Sequence, residues 1–460
     1  LKYNWITALS VSIFVSLLVF FALYTRVAVS PDGLVHMGFA LYGIPNINLF
    51  GPAAENFPIK YVQFYNTGYG YHYFLHAAYK LLDVLSSGSI NESYWFSAPF
   101  LSQKDLLPST YANFLFIVRI ISVVLTCLQV YMLKKICDII QIEKIFPVAL
   151  FWLSFTTMFP LLHANASRDV LVNCLSICFI YNVLAFHFSR KAVNVKYILL
   201  ILAISPFVQL SLCLFIVIVL SSYALFYFRA SFNEMGREVL QIITLKKGYI
   251  FPVLLVLVGL PGTVDLVNKI TRYESIRPGC TKMFSVAECE ENNENYKTYR
   301  TLKLSRANKE RISLSEYAKV WYPGVFARIF GIMGHRSYGN PLYYILLCTL
   351  SALFLISVVL SIAYRKKDLL FVGFISLLYC VVIFYFVNRQ VYLTIGVLNA
   401  GLQGRYIFPV YPLMLVFAHS CLCYLPRVGY YLYTLLSFNV LLYTYYIFSN
   451  SPQVKSIIMM

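Results

Sequence analysis

WITALSVSIFVSLLVFFALYTRVAV, residues 5–29, decides the fold. Roughly 20 consecutive apolar residues are what one helix needs to cross the hydrocarbon of a bilayer. The run is too long for the core of a removed signal peptide and carries no small-residue cleavage site, so it reads as a retained first span. Runs of this kind recur along all 460 residues, of which 60% are apolar and 12% charged. A soluble domain carries about a quarter charged residues. The composition therefore excludes a soluble fold and predicts an all-α, polytopic membrane protein.

The apolar runs place spans near 6–29, 112–133, 145–163, 170–188, 196–209, 211–228, 249–268, 342–364, 369–387, 406–424 and 428–448, about eleven in all. The adjacent runs 196–209 and 211–228 are either two short helices bent at Ser205-Pro206 or one span with a re-entrant piece. This gives an N-terminal transmembrane module (1–268) containing an external loop at 30–111. An external region (269–341) and C-terminal transmembrane helices (342–460) follow.

The net charge is +18. Much of it sits in short loops: Lys134-Lys135, Arg190-Lys191, Lys246-Lys247 and Arg365-Lys366-Lys367. Positive short loops stay in the cytosol, whereas long loops cross largely regardless of charge. So 30–111, 164–169, 269–341 and 388–405 are expected outside. The charge reads as a topology signal, and no nucleic-acid partner is implied. No charged residue is expected deep within a span.

All but two of the eleven cysteines lie in apolar runs or at their ends. Cys280 and Cys289 share the external region, where a disulfide can form and persist. In the first external loop GYGYHYFLHAAYKLLDVL (68–85) has apolar residues at helical spacing. It reads as an amphipathic interfacial helix with tyrosines at headgroup depth. His72 and His76 within it are spaced as metal ligands can be, but no third ligand follows, and interfacial aromatics are the plainer reading. Asn91 and Asn165 head short glycosylation-type triplets.

Four polar clusters adjoin the outer ends of spans. In VAVSPDGLVHMGFALYG (27–43), Asp32 follows Pro31 and precedes His36 by one helical turn. The carboxylate either caps that helix or serves as a general base at the membrane surface, and the two roles are compatible. In NAGLQGRYIFPVYPLM (399–414), Gln403-Gly404-Arg405-Tyr406 enters a span. There Arg405 either snorkels or forks onto a phosphate. Pro409 and Pro412 suit a cavity-lining helix start. ARIFGIMGHRSYGNPLYY (327–344) adds Arg328, His335 and Arg336. LLHANASRDVLVN (161–173) adds the neighbouring pair Arg168 and Asp169, readable as a cap with its salt bridge.

These elements resemble polytopic glycosyltransferases of the C-type fold. The resemblance is to bacterial members with a PDE…H element after the first span, FG…P before a late one and QGRY…P…P entering the next-to-last. O-antigen-modifying, serotype-converting enzymes have a similar layout. Here the elements read Pro31-Asp32-Gly33…His36, Phe330-Gly331…Pro341 and Gln403-Gly404-Arg405-Tyr406…Pro409…Pro412. The resemblance implies an inner-membrane hexosyltransferase that moves a sugar from a polyprenyl-phosphate donor to a glycan or glycolipid acceptor on the periplasmic face. Asp32 would be the general base, and Arg405, with Arg328 and Arg336, would bind the phosphate. His36, Gln403, Tyr406, Glu55 and His335 would contact substrate. Gly33 stands where the family has a second acidic residue, so a metal-independent, inverting site without a cofactor is expected. The rival readings are an O-antigen polymerase or ligase using a polyprenyl diphosphate, and a flippase for lipid-linked sugars.

Overall fold

The computed structural model describes residues 4–25, 33–47, 58–62, 68–88, 109–227, 233–243, 250–306, 310–330, 341–398, 402–424, 440–442 and 444. Asp32, Glu55, Asn91, His335 and Arg336 lie outside the described residues, as does most of the span expected at 428–448. In chain order the helices are α1 (Asn4–Tyr24), α2 (Gly33–Gly38), α3 (Gly70–Leu85), α4 (Ser109–Ile139), α5 (Phe146–Phe155), α6 (Met158–His163) and α7 (Arg168–Ser189). Then come α8 (Ala192–Val208), α9 (Leu210–Tyr227), α10 (Asn233–Ile243), α11 (Ile250–Tyr273), α12 (Cys280–Met283), α13 (Val286–Asn292) and α14 (Glu294–Ser305). The series closes with α15 (Leu314–Phe330), α16 (Pro341–Ala363), α17 (Lys367–Val382), α18 (Arg389–Ile395) and α19 (Tyr411–His419).

Seven helices among the described residues are long and apolar enough to cross a membrane: α1, α4, α7, α9, α11, α16 and the continuous run Lys367–Ile395. The chain is an all-helical, multi-pass membrane protein. The expected eleven are not matched by full-length helices, and proline chemistry accounts for two of the differences. The run 145–163 is broken into α5 and α6 at Thr156. Pro160 lacks an N–H and its ring clashes with the carbonyl four residues back, which is that of Thr156. The Thr156 hydroxyl bonds to Trp152 O at 2.8 Å and to Tyr411 Oη at 2.9 Å, so the break is tied into the bundle. Pro206 likewise leaves Leu202 O without its helical donor, and Ser205 Oγ supplies one at 2.9 Å. The helix stops three residues later, where Gln209 is extended (φ −171°, ψ 136°) between α8 and α9.

Three charged residues among the described residues are buried within spanning helices: Arg119, Asp265 and Lys269. Arg119 of α4 is fully buried and donates to Ala22 O at 2.7 Å and Thr25 O at 2.8 Å. It thereby satisfies carbonyls left over at the end of α1. Asp265 of α11 is buried with Lys269 one turn on, Oδ2 to Nζ at 2.6 Å, and its other oxygen accepts from Tyr69 Oη at 3.0 Å.

Tyr69 belongs to the first segment expected outside, and glycines let that segment seat closely on the bundle. A side chain on Gly68 (φ +100°) would lie 2.8 Å from Val208 O, and one on Gly70 would lie 2.7 Å from the Phe207 ring. The helix expected at 68–85 is present as α3, but Tyr69 and Tyr71 are 1% exposed. They pack inside the protein rather than at headgroup depth. His72 is buried too, and Asn165 is buried with its amide on Leu161 O at 2.7 Å, which removes it as a glycan acceptor.

The two segments expected outside touch each other. Cys280 and Cys289 are joined by a disulfide that packs in one apolar cluster with Phe39, Tyr61 and Tyr69. Asn293 donates to Ile59 O at 3.0 Å. At the other end of the bundle, residues 139–142, Phe188, Lys366 and Tyr424 line one shallow pocket. α7 separates these ends by about 30 Å, from 22 residues at 1.5 Å each.

Candidate functional site

At the end of the bundle that carries the disulfide, the start of α7, the break at Gln209 and the turn before α19 enclose a polar cavity of about 290 Å³. Its charged lining is Arg168, Asp169, Arg277 and Arg405. Local structure sets the place of two of them, Asp169 and Arg405. Ser167 caps α7, accepting from Asp169 N–H at 3.3 Å. That leaves the Asp169 carboxylate in the first turn, where the helix dipole favours it. The cap is therefore Ser167, and the Asp169 side chain turns to another partner.

That partner is Arg405, whose Nε lies 3.7 Å from Asp169 Oδ2 and 2.6 Å from Gln403 Oε1. Arg405 stands on the 3₁₀ turn Gly404–Ile407. Gly404 is required there: a side-chain carbon would lie 2.6 Å from Ile329 N and 2.7 Å from Arg328 C. The turn is thus pressed onto the backbone of α15, and this fixes the direction in which Arg405 leaves it. Tyr406 and Pro409 line the same cavity, as does Gln209.

His36 is buried beside this cationic wall. Its Nδ1 lies 2.8 Å from His72 Nε2, with the two rings stacked at 5.0 Å. Burial holds the His36 imidazole well below its usual pKa, and the Arg168 and Arg405 guanidiniums push it further down. His72 is depressed for the same first reason, then by His36 and Arg168. Both rings are neutral at pH 7. One turn along, His76 Nδ1 meets Ala40 O at 2.9 Å, so His72 and His76 clasp the helical segment that starts at Gly33. Their spacing serves docking, and among the described residues no three His, Cys, Asp or Glu side chains gather as metal ligands do.

The predicted site residues thus divide. Arg405, Gln403 and Tyr406 come together, and His36 stands beside them. Arg328 does not join them. It is 7% exposed near the end of α15, behind the Gly404 turn, and does not line the cavity. Asp32, Glu55, His335 and Arg336 fall outside the described residues. Sequence reasoning missed that Asp169 pairs with Arg405, and it missed Arg277 and Gln209 altogether. Arg168 and Asp169 carried a signal as charges opening an apolar run. Arg277 carried none, because its place depends on how the disulfide loop folds back.

A second cavity lies across the run Lys367–Ile395. Tyr379, Ile383 and Val387 face the polar cavity, while Leu377, Val381 and Phe384 line an apolar groove of about 400 Å³. Trp321 and Tyr322 of α15 form its outer wall, and Trp321 Nε1 is held by Asn388 Oδ1 at 2.9 Å. Leu355, Leu377 and Val381 at its rim are at least half exposed on the flank of the spans. No protein-family model, curated protein or solved structure matches this chain.

Proposed function

We propose that this protein is an integral membrane glycosyltransferase taking its sugar from a polyprenyl-phosphate donor. The observation that carries the reading is the cavity whose charged lining is three arginines and one carboxylate. Guanidinium groups match phosphate geometry, and an excess of them beside apolar spans suits a phosphate on a lipid. The apolar groove on the far face of the same helical run suits the donor's hydrocarbon chain.

In this reading an acceptor hydroxyl oxygen attacks the anomeric carbon as the bond from that carbon to the phosphate oxygen breaks. The departing polyprenyl phosphate gains negative charge, which Arg405 stabilises with Arg168 and Arg277. Preorganised charge of this kind is often the largest catalytic contribution. The hydroxyl proton passes to a carboxylate. Asp32, four residues before His36, is the first candidate, and Asp169 holds Arg405 in line. The acceptor is a cell-surface glycan or glycolipid, and the reaction faces the periplasm of a bacterial inner membrane.

The test is transfer by purified protein from polyprenyl-monophosphate and polyprenyl-diphosphate sugars. Arg405→Ala should lower turnover on the monophosphate by about 10²–10³, the usual cost of one such group. Asp32→Asn should abolish transfer. Activity on the diphosphate donor alone would instead favour a polymerase or ligase, and near-normal turnover in Asp32→Asn would remove Asp32 as the base.

A further inference from the structure

A larger trough opens beside the arginine cavity. It measures about 1080 Å³ and shares Arg277 and Val387 with that cavity. One wall is α14, which presents Tyr299, Arg300 and Lys303. Gln390 and Thr394, in the last two turns of the run Lys367–Ile395, line the trough as well. The remaining wall is the chain from Arg277 to Thr281, pinned by the Cys280–Cys289 disulfide.

The chemistry of this lining is one-sided. Three cations face the trough, and no Asp or Glu lines it among the described residues. Glu290 pairs with Arg300, whereas Arg277 and Lys303 enter no ion pair among the described residues. Tyr299 is 48% exposed and offers a ring face with a hydroxyl at its end. Tyrosine, an amide and a hydroxyl are the groups that lie against sugar rings and bond their hydroxyls.

We propose that this trough binds an anionic oligosaccharide, a glycan bearing carboxylates or phosphates, and seats it as the acceptor. Its reducing or non-reducing end would reach the reacting centre past Arg277, the residue common to both spaces. A glycan fits better than a phospholipid headgroup because the trough is large, about 1080 Å³, and carries Tyr299, Arg300 and Lys303 of α14 on one wall with Gln390 and Thr394 on another. The role as acceptor seat rests on the transfer reading above. Binding of an anionic glycan does not.

The experiment is a titration of the full-length protein in detergent with fluorescein-labelled hexagalacturonate, with labelled maltohexaose as the neutral control and no donor present. Hexagalacturonate should bind at least about tenfold more tightly than maltohexaose, and more weakly as salt is raised. Lys303→Glu and Tyr299→Ala should each weaken it by about tenfold or more. Both positions are exposed, and unchanged thermal melting would show that the fold is kept. The proposal is overturned by equal binding of the two oligosaccharides, by no binding, or by unchanged binding in both variants. Displacement by phosphatidylglycerol vesicles in the wild type but not in Lys303→Glu would overturn it in favour of a headgroup site. Because no donor is present, failure here leaves the transferase reading standing, and failure of the transfer assay leaves this site standing.

Discussion

Arg405 and Asp169 meet in the polar cavity, Nε to Oδ2 at 3.7 Å, with side chains 13% and 18% exposed. One comes from a turn late in the chain and the other from the start of α7, so the contact ties two halves of the protein at the proposed phosphate site. A partly buried pair of this kind is coupled. In a double-mutant cycle with Asp169→Asn and Arg405→Ala, the losses should fall short of additive by about 0.5–3 kcal/mol. Thermal or denaturant unfolding in detergent reads this without any substrate. Strict additivity would show that the two groups act independently.

Gly404→Ala tests whether the turn's seating on α15 aims Arg405. The added carbon would lie within 2.7 Å of backbone atoms of Arg328 and Ile329, and backbone cannot swing aside as a side-chain end can. The turn must lift from α15. Donor turnover should fall roughly as it does for Arg405→Ala, because displacements near 1 Å can cost about 10²-fold. Full activity in Gly404→Ala would mean that Arg405 finds its place without this contact.

Arg119→Met should destabilise the N-terminal part of the bundle. Two charge-assisted hydrogen bonds to Ala22 O and Thr25 O would be lost, and such bonds are worth about 1.5–3 kcal/mol each. Arg119→Lys should recover part of the loss, since one ammonium reaches fewer carbonyls than a forked guanidinium. Unfolding midpoints of the three proteins give the order. Equal midpoints for arginine and methionine would show that the carbonyls find other donors.

The histidine pair makes stability depend on pH. Both folded-state pKa values are depressed, His36 first by burial and then by Arg168 and Arg405, His72 first by burial. The unfolded chain therefore binds more protons than the folded one once the pH falls below about 6.5. The contribution is complete above that pH and is lost as the pH falls toward the folded values, at up to about 1.4 kcal/mol per unit for each ring. His76, also depressed mainly by burial, adds in the same direction. Melting temperature should drop from pH 6.5 toward 5, and His36→Phe should flatten that slope. An unchanged slope in the variant would assign the acid sensitivity to carboxylates elsewhere.

Much of the architecture was legible because apolar length is a one-dimensional quantity. α1, α4, α7, α9, α11, α16 and the run Lys367–Ile395 each overlap an apolar stretch long enough to span. Less legible were places where one group overrides the composition. Pro160 splits an apolar run through the carbonyl of Thr156, and only the Thr156–Tyr411 contact shows where the break is held. α3 is amphipathic as its spacing predicts, yet Tyr71 and His72 meet protein, while Phe74, Leu81 and Val84 are at least half exposed. Periodicity tells which face is apolar, never what covers it.

The same division runs through the candidate site. The sequence by itself determined that this is an all-helical, multi-pass membrane protein, because burial of apolar runs in a bilayer follows from composition along the chain. It also singled out Arg405 with Gln403 and Tyr406, since a charged cluster opening an apolar run is a local signal. Only the tertiary structure decided that Asp169 turns to Arg405 and that Arg277 joins them from the disulfide loop. It also decided that Arg328 stays behind the Gly404 turn and that His36 is clasped by His72. The physical reason is the range of the forces involved. Apolar length acts on neighbours in sequence, whereas a hydrogen bond or ion pair acts over a few ångströms of space between residues whose separation along the chain carries no information.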